Sequence, residues 1–211
     1  RQVVDKALAV EGDVVDLFSA AGLKKPDISI LSEEFLLEVA NMQHKNLALE
    51  VLRKILNDEI KGRARLNLIQ SRTLMEMLEN SIKRYHNKVI TAAEVIEELI
   101  HLAREIQEKD KEPEQMGLSA IEYAFYCAVA ENQSARELLA RDKLRELAVV
   151  LFERVKENAS IDWTIKESVK AKLKVIVKRT LREYGYPPDM QLLATETVLK
   201  QAEMIAAELT G

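Results

Sequence analysis

The stretch TIKESVKAKLKVIVKRTLREY, residues 164–184, decides the fold class because its apolar residues recur at intervals of three and four. That spacing places them on one side of an α-helix and leaves the other side to charged residues. The apolar stripe consists of Val169, Leu173, Ile176, Val177, Leu181 and Tyr184. The pattern predicts an amphipathic helix that docks on the rest of the domain through this stripe.

Helical spacing of this kind runs through most of the 211 residues, and no segment of useful length alternates polar and apolar residues as a strand would. Only six Gly and four Pro interrupt the chain, while 47% of residues are apolar and 31% are charged, as in packed amphipathic helices. We therefore predict an all-α, irregular multi-helix bundle of about eight or nine helices. It would form one domain over residues 1–211, with residues 1–25 as a candidate lead-in arm.

Capping residues predict where several helices begin. Ser32 is a predicted N-cap, because its hydroxyl can accept a hydrogen bond from a free N–H of the first turn. Three Ser/Thr-x-x-Glu capping boxes begin at Thr91, Ser119 and Ser134. Each of these boxes precedes an apolar run and therefore predicts the start of a helix.

Glycine and proline predict where helices end. Residues 108–117, EKDKEPEQMG, are predicted to form a charged linker because they contain a proline and a glycine. Gly185 is predicted to end the helix of residues 164–184, since the two prolines that follow it cannot continue a helix. Gly62 either ends a helix or weakens a longer one, and both readings stay open at this point.

The usual patterns of a catalytic or metal site are absent from the sequence. The three histidines, His44, His86 and His101, are far apart and form no ligand motif. Cys127 stands among aromatic residues, which indicates a buried thiol rather than a reactive one. There is no Gly-rich phosphate loop. We therefore expect no catalytic residue, no metal and no cofactor in this chain, and a single cysteine is typical of a reducing cytoplasm.

Positive charge is concentrated on the helix of residues 164–184, although the chain has 31 Lys+Arg against 35 Asp+Glu. Six basic residues and no acidic residue lie between Lys170 and Arg182. One row of cations follows i, i+4 spacing and winds from the edge of the apolar stripe toward solvent: Lys166, Lys170, Lys174, Lys178 and Arg182. Lys172 and Arg179 extend the positive surface on the other flank. The pattern fits a contact with DNA or with an acidic partner, and it also fits a solvated helix face.

A second basic cluster surrounds Gly62 and contains Lys61, Arg63, Arg65 and Arg72. It is the weaker of the two basic clusters. Trp163, the only tryptophan, precedes the basic helix and has two alternative roles. It could stack on nucleic-acid bases, but a tryptophan just before a helix is more often an anchor in the core.

Four segments of the sequence resemble the C-terminal helical region of the restriction (motor) subunit of type I restriction–modification enzymes. They are AAGLKKPDISILSEEFL (20–36), KNLALEVLRKILNDEIK (45–61), NASIDWTIKESVKAKLKVIVKRTLREYGYPPDMQ (158–191) and ATETVLKQAE (194–203). The third segment is long and specific, and the similarity runs in order over almost the whole chain. The start at Arg1, without a methionine, fits a piece of such a larger subunit.

The resemblance implies a large bacterial or archaeal cytoplasmic parent with a nuclease domain and two ATP-driven DNA-translocating motor domains before the helical region. ATP and Mg would then belong to the parts of the parent that lie outside this chain. The implied partners are the modification and specificity subunits of the complex, the subunit's own motor domains and duplex DNA, with no membrane. No catalytic motif of the family matches any position in this chain.

Two functions are therefore expected as alternatives. In the first, the chain is a non-catalytic helical domain that couples the DNA motor to the methyltransferase core and offers its basic helix to DNA or to an acidic surface. In the second, it is an independent α-helical adaptor that binds a protein partner and does not contact DNA.

Overall fold

The computed structural model describes residues 31–159 and 163–206, and every helix or strand assigned within these ranges is an α-helix. The described ranges contain nine helices, so the prediction of an all-α fold with eight or nine helices is confirmed. None of these nine is long and apolar enough to cross a membrane. In chain order they are α1 (Glu33–Ala40), α2 (Lys45–Arg63), α3 (Leu68–His86), α4 (Ala92–Gln115), α5 (Ala120–Ala130), α6 (Gln133–Leu138), α7 (Arg141–Asn158), α8 (Glu167–Glu183) and α9 (Gln191–Met204).

The residues group into two compact units, which are described separately. The first unit contains the described residues up to Glu59 together with Leu74–Glu108. The second contains Ile60–Thr73 together with the described residues from Lys109 onward. A single domain over residues 1–211 stays a prediction, and the candidate arm over residues 1–25 lies outside the described residues.

Polar side chains fix the helix starts in the first unit. The Ser32 hydroxyl accepts a hydrogen bond from the first turn of α1 at 3.3 Å, which confirms the predicted N-cap. Arg104 donates two hydrogen bonds, of 2.8 and 3.0 Å, to the Glu33 carboxylate in the same turn. Ahead of α4, the Glu94 N–H donates to the Thr91 hydroxyl at 3.3 Å and the Thr91 N–H donates to the Glu94 carboxylate at 2.7 Å. The predicted capping box at Thr91 is therefore confirmed.

The core of the second unit contains Trp163, whose side chain is only 1% exposed. A ring this deeply buried cannot stack on bases, so the prediction of a core anchor is confirmed. Tyr186 is also buried, and its hydroxyl donates a hydrogen bond of 2.8 Å to the Val129 carbonyl. The same core includes Phe125, Leu144, Leu147, Leu151, Leu173, Val177, Leu181 and Val198.

Helix α8 ends at Gly185, as predicted. Gly185 has φ +72°, a left-handed conformation that favours glycine because it has no Cβ. The Tyr186 N–H donates to the Leu181 carbonyl at 2.9 Å and the Gly185 N–H donates to the Arg182 carbonyl at 3.0 Å. This pair of bonds satisfies the last carbonyls of the helix and directs the Tyr186 ring toward the core.

The predicted linker over residues 108–117 is wrong, because α4 continues to Gln115 with Pro113 inside its last part. One missing N–H bond near the end of a 24-residue helix does not outweigh the bonds that precede it. The helix ends at Gln115, and the chain turns away at Gly117, where φ is +61°. The Leu118 N–H then donates to the Pro113 carbonyl at 2.9 Å. The proline therefore takes part in the helix stop and does not break the helix earlier.

Two further boundary predictions have different outcomes. The capping box of Ser119 and Glu122 is confirmed, with hydrogen bonds of 3.2 and 2.7 Å. The box predicted at Ser134 is wrong, because Asn132 caps α6 and accepts a hydrogen bond from the Ala135 N–H at 3.1 Å. Asparagine is as good an N-cap as serine, and here it comes first in the chain.

Gly62 lies inside α2, which ends one residue later at Arg63. The next helix, α3, begins only at Leu68, so of the two open readings of Gly62 the structure supports a helix end near this residue rather than one long helix through it. Gln201 from α9 stabilises this interruption: its side-chain oxygen accepts from the Leu68 N–H at 2.9 Å and its amide donates to the Leu66 carbonyl at 2.7 Å.

Candidate functional site: the basic surface of helix α8

Helix α8 docks in the second unit through the predicted apolar stripe. Leu173, Val177 and Leu181 are buried, while the other three members of the stripe are half-buried. Thr180, which the sequence analysis missed, is also buried; its hydroxyl donates to the Ile176 carbonyl at 2.9 Å. Its position between two buried residues of the stripe was the available signal. The buried side of α8 packs against α7 and α9, which leaves the opposite side of the helix to solvent.

The side of α8 that faces α9 carries two lysines in ion pairs with α9. Lys170 Nζ lies 3.6 Å from Glu203 Oε1 and 3.8 Å from Glu167 Oε1, the latter on α8 itself. Lys174 Nζ lies 3.9 Å from Glu196 Oε1. These are long, partly exposed pairs, and each contributes at most about 1 kcal/mol to stability. They nevertheless place a carboxylate beside each of the two α9-side lysines.

The side of α8 that faces α7 carries a network around Glu183. Arg179 Nε donates to Glu183 at 2.9 Å, and Arg154 of α7 donates to the same carboxylate at 2.7 Å and to the Thr180 hydroxyl at 2.7 Å. The hydrogen bonds from Arg154 and then Arg179 lower the pKa of Glu183 below its ordinary value. Arg179 is therefore paired on its own helix, although its side chain is 78% exposed.

Three cations of α8 are exposed and make no ion pair with any described residue; two end the i, i+4 row and the third, Lys172, lies on the flank of Arg179. They are Lys172, Lys178 and Arg182. We call these three residues the outward ridge. Lys166, the remaining member of the predicted set, is exposed at the N-cap position of α8. Apart from Lys166, the predicted cations thus separate into three groups: Lys170 and Lys174 beside carboxylates of α9, Arg179 beside Glu183, and the outward ridge.

The second predicted cluster is less available for a ligand. Arg63 forms a bidentate ion pair with Asp110, and Arg72 pairs with Glu131. Lys61 and Arg65 are exposed and lack an ion-pair partner among the described residues. Two of the four cations are therefore already neutralised within the second unit.

The described part of the chain contains neither a cluster of metal ligands nor an activated form of Cys127 or Tyr123. Within residues 31–159 and 163–206 no set of three His, Cys, Asp or Glu residues could hold a metal ion. Burial raises the pKa of the Cys127 thiol, and the Asn67 amide donates to its sulfur at 3.3 Å. Burial also raises the pKa of Tyr123, whose hydroxyl donates to Glu112. A thiol and a phenol that stay protonated in this way lack the reactivity of a nucleophile.

Comparison with known proteins identifies relatives of the whole chain. Residues 1–208 match the family described as "Type I restriction enzyme HindI endonuclease subunit-like, C-terminal". The chain is 38% identical over 211 residues to the type I restriction enzyme HindI endonuclease subunit of Haemophilus influenzae, covering 100% of this chain and 20% of that protein. It is 35% identical over 193 residues to a Methanocaldococcus jannaschii protein named as the type I restriction enzyme MjaIXP endonuclease subunit, covering 88% of this chain and 18% of that protein.

The chain spans about a fifth of the length of the curated relatives it matches. No solved structure matches it. The family match covers nearly the whole chain and carries the word C-terminal in its description, in agreement with the resemblance found in the sequence.

Proposed function

The chain belongs to the family of C-terminal regions of HindI-like type I restriction enzyme endonuclease subunits, and we propose that it couples the DNA motor of such a subunit to the methyltransferase core. In this role it is a non-catalytic helical region that transmits position and force between larger parts of a complex. The nuclease and ATP-dependent translocation activities, with ATP and Mg, belong to the remaining four fifths of the parent subunit.

The observation that carries this proposal is the basic surface of α8. Seven cations belong to the segment of one packed helix in an acidic chain, and Lys172, Lys178 and Arg182 among them face solvent without an acidic partner among the described residues. A helix face intended only for solvation normally mixes charges of both signs at i, i+4 spacing, and α8 does not do so between Lys170 and Arg182. Such a surface attracts a negatively charged macromolecule.

The proposed partners follow from the kind of enzyme to which the relatives belong. They are the modification and specificity subunits, the motor domains of the same polypeptide and duplex DNA, in the cytoplasm of a bacterium or archaeon. The buried anchor at Trp163 supports a docking role for α8, because it seats the start of the helix firmly in the second unit.

A second candidate function is an independent helical adaptor that binds protein and never contacts DNA. The ion pairs of Lys170 and Lys174 with α9 favour it, because they assign part of the positive charge to internal contacts. The two candidates differ in whether α8 is needed for assembly and translocation by the complete enzyme.

The deciding experiment introduces Lys170→Glu, Lys174→Glu and Lys178→Glu together into the complete enzyme. Assembly with the modification and specificity subunits and ATP-dependent translocation would both be measured. A control enzyme carries the same three charge reversals at other exposed lysines, Lys83, Lys143 and Lys200. We expect the α8 variant to fail in assembly or in translocation while the control retains both. If the α8 variant assembles and translocates normally, the basic helix is only a solvated face and the proposal is wrong.

A further inference from the structure

We propose that α8 contacts the phosphate backbone of duplex DNA, and that this contact is confined to the outward ridge of Lys172, Lys178 and Arg182. This inference rests on the proposed function and states which macromolecule the basic surface meets and through which side chains. Lys170 and Lys174, which appear equivalent to Lys178 in the sequence, instead serve to hold α8 against α9.

Carboxylates lie beside some of the cations of α8 and not beside others. Glu203 and Glu196 lie beside Lys170 and Lys174, and Glu183 lies beside Arg179. A phosphate that approaches Lys170, Lys174 or Arg179 therefore meets a carboxylate that is already paired with the cation. On the outward ridge no described carboxylate lies within ion-pair distance, so only there does a phosphate gain the full attraction of each cation.

The cations of the outward ridge are spaced along the helix axis at distances that a DNA strand can match. At about 1.5 Å per residue, Lys172 and Arg182 are separated by about 15 Å along α8. Lys178 and Arg182 are about 6 Å apart along the axis, one turn of the helix. Phosphates follow one another along a DNA strand at about 3.4 Å of axial rise, so Lys178 and Arg182 form a short row that covers about two phosphates of one strand. Lys172 lies about 80–120° around the helix axis from these two, and it would therefore meet a phosphate to one side of that row. Long lysine and arginine side chains adapt to such a row without any base contact.

Exposed apolar side chains are few on the α8 segment. Protein–protein contacts depend on a cluster of buried aromatic or aliphatic side chains at the centre of the interface. The exposed large apolar residues of the α8 segment are Val175, 67% exposed, and Ile165, 80% exposed. Ile165 precedes the first residue of α8, so Val175 is the single exposed large apolar side chain on the helix itself. The attraction that this surface can supply is therefore mainly electrostatic, as in a contact with a phosphate backbone.

The three cations allow a quantitative expectation. Each neutralised phosphate releases condensed counterions, so the logarithm of the DNA affinity falls with the logarithm of the salt concentration with a slope of about −0.9 per contact. Three contacts give a slope of about −2.7, which is about a 40-fold loss of affinity between about 50 and 200 mM salt. One remaining contact gives about −0.9, a loss of only about 3- to 4-fold over the same range.

The experiment measures binding of the whole 211-residue chain to a short fluorescein-labelled duplex of mixed sequence, by anisotropy across a salt series. The ridge variant carries Lys172→Gln and Lys178→Gln. The matched control carries Lys170→Gln and Lys174→Gln, the same chemical change on the same helix. Thermal melts of both variants check that the fold is retained. We expect the slope to fall to about −0.9 in the ridge variant and to stay near −2.7 in the control.

Two results would overturn the inference. Equal loss of slope in the ridge and control variants would mean that the contact is not confined to the ridge. If the wild-type chain does not bind the duplex at about 50 mM salt, while the ridge variant in the complete enzyme loses the methyltransferase core, the ridge docks on an acidic protein surface. That second result contradicts DNA binding by α8 and leaves the proposed coupling function intact. Normal assembly and translocation by the complete enzyme with the three charge reversals on α8, Lys170→Glu, Lys174→Glu and Lys178→Glu, would contradict the proposed function instead.

Discussion

Replacing Gly185 by alanine adds the same methyl group as replacing Gly62, yet we expect the two variants to change stability in opposite directions. Gly185 has φ +72°, whereas Gly62 lies within α2 and is not among the residues with positive φ. A Cβ at Gly185 would meet only Lys143 Nζ, at 3.9 Å, and a Cβ at Gly62 would meet nothing within 4 Å. The added methyl group therefore clashes with no neighbour at either site. The expected difference in stability between the two variants depends on backbone conformation alone.

The magnitudes follow from the two conformations. An L-residue in the left-handed region costs about 1–2 kcal/mol, and alanine recovers part of this by reducing the entropy of the unfolded chain. We therefore expect Gly185→Ala to lower the free energy of unfolding by about 1 kcal/mol. In a helix, alanine is favoured over glycine by about 0.5–1 kcal/mol, so Gly62→Ala should raise the free energy of unfolding by that amount. For a chain of this size, 1 kcal/mol corresponds to about 2–4 °C in Tm.

The assay is urea unfolding followed by the fluorescence of Trp163, the only tryptophan in the chain. Both glycines and Trp163 belong to the second unit, so the probe reports on the unit in which the substitutions are made. A Gly185→Ala variant as stable as the wild type, or two variants that shift in the same direction, would refute the reasoning from backbone conformation. The expected loss also tests whether the end of α8 is held in place by this turn.

Two further predictions concern the charges around α8. The pKa of Glu183 is lowered by Arg154 and Arg179, so its contribution to stability is present above the unfolded pKa and is lost as the pH falls through the folded pKa. Glu183→Gln should therefore lower the Tm at neutral pH and make the Tm fall less steeply as the pH is lowered. If thermal melts show that the Tm of the variant falls as steeply toward acid pH as that of the wild type, the prediction is wrong. The ion pairs Lys170–Glu203 and Lys174–Glu196 run in opposite directions along α8 and α9, so we expect Leu192, 55% exposed and one turn before Glu196, to be the α9 position nearest the level of Lys178. Leu192→Glu should add an ion pair worth at most about 1 kcal/mol and weaken DNA binding in the salt series, and unchanged binding would argue against Lys178 as a phosphate contact.

Local patterns in the sequence were sufficient to predict most of the helices and their caps. The apolar stripe of α8, the box at Ser119 and the stop at Gly185 each depend on residues within a few positions of one another, and all three are confirmed. A local pattern fails to predict a helix start where two neighbouring residues could each serve as the N-cap. Asn132 and Ser134 are both good N-caps, and only the path of the chain decides between them.

The continuation of α4 through residues 108–115 could not be predicted for a different reason. Proline usually breaks a helix because it removes one N–H bond and clashes with the preceding turn, yet α4 accommodates Pro113 in its last turn. Asp110 in this segment also pairs with Arg63, which is 47 residues away in the sequence. A long-range contact of this kind is invisible to any window of neighbouring residues.

The partition of the α8 cations depends on the neighbours of the helix and therefore cannot be read from the helix alone. Lys170, Lys174 and Lys178 follow one i, i+4 row in the sequence and look alike. Only the first two meet carboxylates of α9, because the row winds around the helix and leaves the groove between α8 and α9 before it reaches Lys178. The identity of the facing helix supplies the missing information.

The division of the α8 cations into paired and unpaired residues changes how much positive charge is available to a partner. Six basic residues between Lys170 and Arg182 would suggest a polyanion contact with a salt slope near −5, if every cation met a phosphate. Three of the six already lie beside carboxylates of the second unit, and a phosphate that displaced those carboxylates would leave their negative charge unpaired. The charge available to a partner is thus about half of the charge visible in the sequence. A measured slope near −5 would mean that the pairs with α9 and Glu183 open on binding, whereas a slope near −3 would mean that they persist and that the outward ridge alone carries the contact.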